Sequence, residues 1–169
     1  MNKETKRGLG SHLLTNLTRD QAEAWQRLPY IVNGYRSGGT YFVALWSAFF
    51  SWHNETVNVW TVMLNLIIGT ILFASLVVPT FDSVVPLMTM WLGLVVFSFF
   101  SLGQHSFICI SPDVATFWRR MDMSSLLLLH TTMTFSTAYY IWSWMNTVII
   151  TSLCGSTPGI IIYETASVP

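Results

Sequence analysis

Glu55, Asn58, Ser101, His105 and Asp122 are the side chains of this sequence best placed to do chemistry. Each stands at or near the end of an apolar run. Glu55 and Asn58 share a helix face at i, i+3, and Ser101 lies one turn before His105 on another. Antiparallel packing of those runs brings all of them to one membrane depth. Imidazole and carboxylate converging there can bind zinc, with Ser101 or Asp122 holding a metal-bound water. Plainer roles compete with that one. A histidine near a helix end can simply reach the interface. Asp122 can serve as an N-cap, favoured by the helix dipole. His130, between a run of leucines and Thr131, reads as a helix–helix hydrogen-bonding residue. His12 and His53 read as solvated or interfacial.

The elements that must position these residues are membrane helices. The chain has 169 residues, 52% hydrophobic and only 9% charged. Soluble domains carry about 25% charged residues, so this chain cannot cover a globular surface in water. The expected fold is all-α, a polytopic membrane helix bundle with three clear spans and a candidate fourth. The spans are residues 60–78, about 85–110, and 123–142. The first is roughly 28 Å long, enough for a hydrocarbon core of about 30 Å. Pro79, Asp82 and Pro86 make the first turn. Pro112, Asp113, Arg119 and Arg120 fall in a loop at 111–121. Residues 145–162 hold Gly155, Pro158 and Gly159, and form a fourth span, a continuation of the third, or a frayed tail.

Residues 1–52 make an N-terminal segment, 53–162 the bundle, and 163–169 a tail. Within the first segment, residues 1–19 read as flexible. Residues 20–27 read as a short helix capped by Asp20 and stopped by Pro29. Gly34, Gly38 and Gly39 mark loop. Residues 41–51 are apolar but too short to span, which suits an interfacial helix with Tyr41 and Trp46 at headgroup level. Cys109 and Cys154 form no CxxC pair and read as packing residues. No secretory signal and no basic patch for nucleic acid are present.

The basic residues set the orientation. Lys3, Lys6, Arg7, Arg19, Arg27 and Arg36 precede the first span, and Arg119 and Arg120 follow the second. In a hairpin topology all of these lie on one side, which the positive-inside rule makes cytosolic, together with the N-terminus.

The stretches LPYIVNGYR (28–36), HNETVNVWT (53–61) and SLGQHSFICIS (101–111), followed by Asp122, resemble the progestin and adipoQ receptor family. That family includes the adiponectin receptors and is related to the haemolysin III proteins. The resemblance covers residues 28–145, and PYIVNGYR and NETVNVW look closest to a Golgi-resident member that tethers a Raf kinase. It implies a seven-span bundle, of which this chain is the N-terminal part, in the plasma membrane or Golgi. It implies a zinc ion near the cytosolic face, with His105 as a ligand and Ser101 and Asp122 as catalytic or water-holding residues. It also implies a lipid or hormone ligand, cytosolic signalling partners, and zinc-dependent hydrolysis of a lipid amide such as ceramide. The sequence departs from the pattern at Val62, Ile110 and Met123, and the family's closing His-x-x-x-His has no counterpart. The expectation is therefore a truncated receptor-like protein with an incomplete zinc site. The alternatives are a non-catalytic scaffold for cytosolic partners and a non-functional truncated form.

Overall fold

The computed structural model describes residues 12–77 and 84–154. Helices dominate it. A short apolar helix α1 (Tyr41–Phe50) precedes three long ones: α2 (Thr56–Val77), α3 (Val84–Phe107) and α4 (Pro112–Cys154). Two segments are long and apolar enough to cross a bilayer, Thr56–Leu76 and Val84–Phe107. Only 11% of the apolar window of the first is buried within the protein. A soluble core helix would be enclosed, whereas this one offers its apolar surface to lipid.

The expected third span at 123–142 does not stand as a helix of its own. It lies inside α4, which has 43 residues and runs unbroken from Pro112. The expected loop at 111–121 is thus helical. Ser111 explains the start: its Oγ accepts the Val114 N–H at 3.3 Å and its carbonyl accepts the Ala115 N–H at 2.9 Å. Pro112 takes the first helical position, where no N–H is needed, and Asp113 lies in the positive first turn. Asp122 is therefore ten residues inside the helix and caps nothing. Residues 145–154 continue α4, while 155–162 of the expected fourth span lie outside the described residues. At roughly 65 Å, α4 is about twice as long as a hydrocarbon core is thick.

α2 and α3 pack antiparallel, and α3 and α4 do the same. Trp91 stacks on Phe73 at 5.0 Å and donates its indole N–H to Thr70 Oγ1 at 3.2 Å. Ser136 Oγ donates to the Pro86 carbonyl at 2.7 Å. Glycines permit the closest approach. A Cβ on Gly103 would strike the Trp118 ring, and one on Gly93 would strike Thr132.

The N-terminal region departs from the all-α expectation. Leu13–Leu17 forms a strand, β1, antiparallel to β2 (Tyr35–Gly38). Within residues 12–19, expected to be flexible, Leu13 packs against Gly39, where the left-handed backbone (φ 85°) carries no side chain. Asn16, also left-handed, sits where the register shifts. The short helix expected at 20–27 shrinks to a 3-10 turn at Ala24–Gln26, with Glu23 and not Asp20 before it. Gln21 Oε1 accepts the Thr18 N–H at 3.0 Å and closes a turn there first.

If the glycine approach sets the α3–α4 spacing, Gly103→Val should destabilise the helices by about 1–3 kcal/mol through overpacking. Ser111→Ala should cost about 1 kcal/mol through the lost cap. Thermal unfolding in lipid nanodiscs reads both, and a Gly103→Val midpoint equal to wild type would contradict this packing.

Candidate functional site

α2 begins at a polar junction. The His53 N–H donates to Thr56 Oγ1 at 2.8 Å, and the Thr56 N–H donates back to the His53 carbonyl at 3.0 Å. This reciprocal pair closes the first turn and leaves Glu55 buried beside it. Glu55 Oε2 accepts from Asn58 Nδ2 at 2.8 Å and lies 2.8 Å from His105 Nδ1 on α3. The structure thus joins Glu55, Asn58 and His105 in one cluster. Burial raises the Glu55 carboxyl, but the bonds from His105 and Asn58 outweigh it and hold the group below the usual carboxylate range. A carboxylate acceptor fixes the proton of His105 on Nδ1. Nε2 then keeps its lone pair, the arrangement by which carboxylates orient metal-binding imidazoles.

Ser101 and Asp122 form a second level. Ser101 is buried on α3. The Gly103–Trp118 and Gly93–Thr132 approaches place Asp122 of α4 level with Ser101. Asp122 Oδ1 is buried without a hydrogen-bond partner among the described residues, and so is Ser98 Oγ. Both oxygens lie on the α3–α4 pair, deeper than His105. His130 is not part of either level. It is exposed on α4, with Nδ1 2.9 Å from the Leu126 carbonyl.

Two residues were misread from sequence. Arg36 was counted only among the basic residues that set the orientation, with no place in the site, yet only 3% of it is exposed. Its Nη1 donates to the Ala44 carbonyl at 3.0 Å and to Ser47 Oγ at 2.6 Å. Its Nη2 donates to the carbonyls of His105 at 3.0 Å and Ser106 at 3.4 Å. Arg36 therefore caps the C-terminus of α3 next to the Glu55–His105 pair. The only sequence signal was its place in the PYIVNGYR stretch. His53 is likewise buried and not solvated. Its Nδ1 accepts the Glu55 N–H at 3.1 Å, which leaves the Nε2 proton to donate to the Ala48 carbonyl at 3.2 Å. Burial, reinforced by the Arg36 charge, lowers its pKa from 6.5 to about 4.

A cavity of about 10 Å³, room for one water, lies among Gln26, Arg36, Glu55 and Cys109. Burial pushes the Cys109 thiol up, so it stays protonated there. Among the described residues no three His, Cys, Asp or Glu side chains group to hold a metal. A catalytic zinc needs about three protein ligands. His105 supplies one, and the described residues do not complete the set.

The neutral His53 makes the junction acid-sensitive. Its pKa is depressed on folding, so its contribution is complete above about 6.5 and is lost as pH falls through about 4. The thermal midpoint of the nanodisc-embedded chain should fall across that window, and more steeply than in His53→Asn. Parallel profiles would contradict the assignment.

A model of the haemolysin-III related family matches residues 50–168, which include α2, α3 and α4. No curated protein matches the chain.

Proposed function

Because this chain belongs to the haemolysin-III related family, the family that includes the progestin and adipoQ receptors, we propose that it is a receptor-like membrane protein. In this reading its binding centre is the Glu55–His105 pair. The observation that supports it is the 2.8 Å contact between Glu55 Oε2 and His105 Nδ1, which presents His105 Nε2 as a fixed acceptor. A lipid or hormone headgroup with an N–H or O–H donor suits that nitrogen. Ser101, Ser98 and Asp122 would meet the polar part of such a ligand one level deeper.

The orientation proposed is the one set by the basic residues, with the Arg36 end cytosolic. α4 crosses the bilayer beside α3 in this reading. α1 lies in the interface, since Phe42, Leu45, Trp46 and Phe50 are exposed on one face while Ala44, Ser47 and Ala48 are buried on the other. Zinc enters through His105 alone, and a tightly held ion needs further donors from outside the described residues.

A second reading is a scaffold for cytosolic partners. It is favoured by Tyr30, Val32 and Trp52, which are 97%, 71% and 88% exposed on an otherwise ordered N-terminal cap.

Elemental analysis of the purified protein tests the metal. The receptor reading with zinc expects about one ion per chain, lost in His105→Ala and bound about 10–100-fold more weakly in Glu55→Gln. Protein free of zinc in all three forms would remove the metal from the account. Capture of a cytosolic protein by wild type but not by Tyr30→Ser/Val32→Ser would favour the scaffold.

A further inference from the structure

Gln26, Arg36, Asn54, Glu55 and Cys109 line the cavity beside the Glu55–His105 pair, which has room for one water. Three of these side chains have hydrogen-bonding capacity left over. Gln26 comes from the 3-10 turn of the N-terminal cap and is only 5% exposed. Its Nε2 donates to the Cys109 carbonyl at 3.4 Å, while its Oε1 is buried and has no hydrogen-bond partner among the described residues. Arg36 directs Nη1 and Nη2 to four acceptors, and among the described residues its Nε N–H has none. Glu55 Oε2 takes two bonds, from Asn58 and His105, whereas Oε1 takes one, from Asn54 Nδ2 at 3.1 Å. Arg36 and Glu55 face the same cavity with opposite charges, yet they make no direct ion pair.

The open positions are therefore two acceptors and one donor. A single water closes all three, donating twice and accepting once, and about three bonds is what a buried water normally makes. Other small occupants fit poorly. An anion would meet the Glu55 carboxylate and the Gln26 carbonyl, a cation would meet the Arg36 guanidinium, and anything larger than water exceeds the space.

From this we infer that one fixed water joins Gln26 Oε1, the Arg36 Nε N–H and Glu55 Oε1, and that Gln26 is thereby a positioning residue for His105. The inference rests on the reading of the Glu55–His105 pair as the binding centre. The water ties the guanidinium to the carboxylate that they both border. It holds Glu55 by Oε1 from the side of the cap, while Oε2 faces His105. A carboxylate held at both oxygens cannot turn, so the Nδ1 proton of His105 keeps one acceptor. Without the Gln26 carbonyl the water loses one of its three partners, and the carboxylate loses that restraint.

The test is solid-state NMR of the full chain in lipid bilayers, with isotope-labelled arginine and histidine. Wild type should show magnetisation transfer from a long-lived water to the Arg36 Nε N–H. Its His105 ring-nitrogen shifts should report the proton on Nδ1. Gln26→Met, similar in length but without the carbonyl, should lose the transfer and spread the His105 proton over both nitrogens. Gln26→Glu keeps an acceptor but drops the Nε2 bond to Cys109, and it should behave as wild type, which separates the water from the Cys109 contact. No transfer in wild type would overturn the inference, and this arm stands even where a variant fails to fold. Gln26→Met with His105 unchanged, or Gln26→Glu that behaves like Gln26→Met, would overturn it too. A wild-type His105 with its proton on Nε2 would instead sink the binding-centre reading, and the role of Gln26 with it, whether or not the water is seen.

Discussion

The end of the bundle that carries the candidate site depends on one buried guanidinium. A helix that ends leaves its last carbonyls without intrahelical donors. At the end of α3 the Gln104 and Phe107 carbonyls accept from Ile108 and Ile110, and Arg36 supplies donors to the two between them, His105 and Ser106. The same group holds Ala44 and Ser47 of α1. A cation at a helix C-terminus also meets the negative end of the dipole. Desolvating an arginine is costly, and the four hydrogen bonds from Nη1 and Nη2 are what offset it. Ala44 and Ala48, both fully buried, let α1 come close enough for that contact.

The surroundings of Arg36 follow from its position. β2 carries it, and β1 braces β2. The Gly38 N–H donates to the Cys109 carbonyl at 2.8 Å, which ties the strand to the α3–α4 turn. Gly34, left-handed at φ 86°, accepts the Asn54 N–H at 3.0 Å and ties the other end of β2 to the α1–α2 junction. The Glu55–His105 pair sits between these anchors. Its geometry is thus set by an N-terminal cap outside the apolar helices as well as by the helices themselves.

Much of this was legible in the sequence. The absence of charge from 56–76 and 84–107 announces the two apolar helices, and the polar residues at their ends announce the Glu55–His105–Asn58 cluster. What stayed hidden has physical causes. Arg119 and Arg120 look like loop because they interrupt the apolar runs, yet α4 carries them from its start at Ser111–Pro112. The cap offered as the plainer role of Asp122 rested on the same boundary. β1 is short and mostly exposed, so its periodicity is faint. Arg36 and His53 carry charge or titrate, and sequence alone gives no sign that the chain folds back over them.

The family places α2–α4 in a membrane protein, and the fold adds a cap that closes one end of it through a single cation. Hydrogen exchange of the nanodisc-embedded chain, wild type beside Arg36→Met, tests that claim most directly. The account predicts that amides from 35 to 54 and from 108 to 110 lose protection together in the variant, while the interiors of α2 and α3 keep theirs. Loss of protection confined to residues next to position 36, with the rest of the cap unchanged, would contradict it.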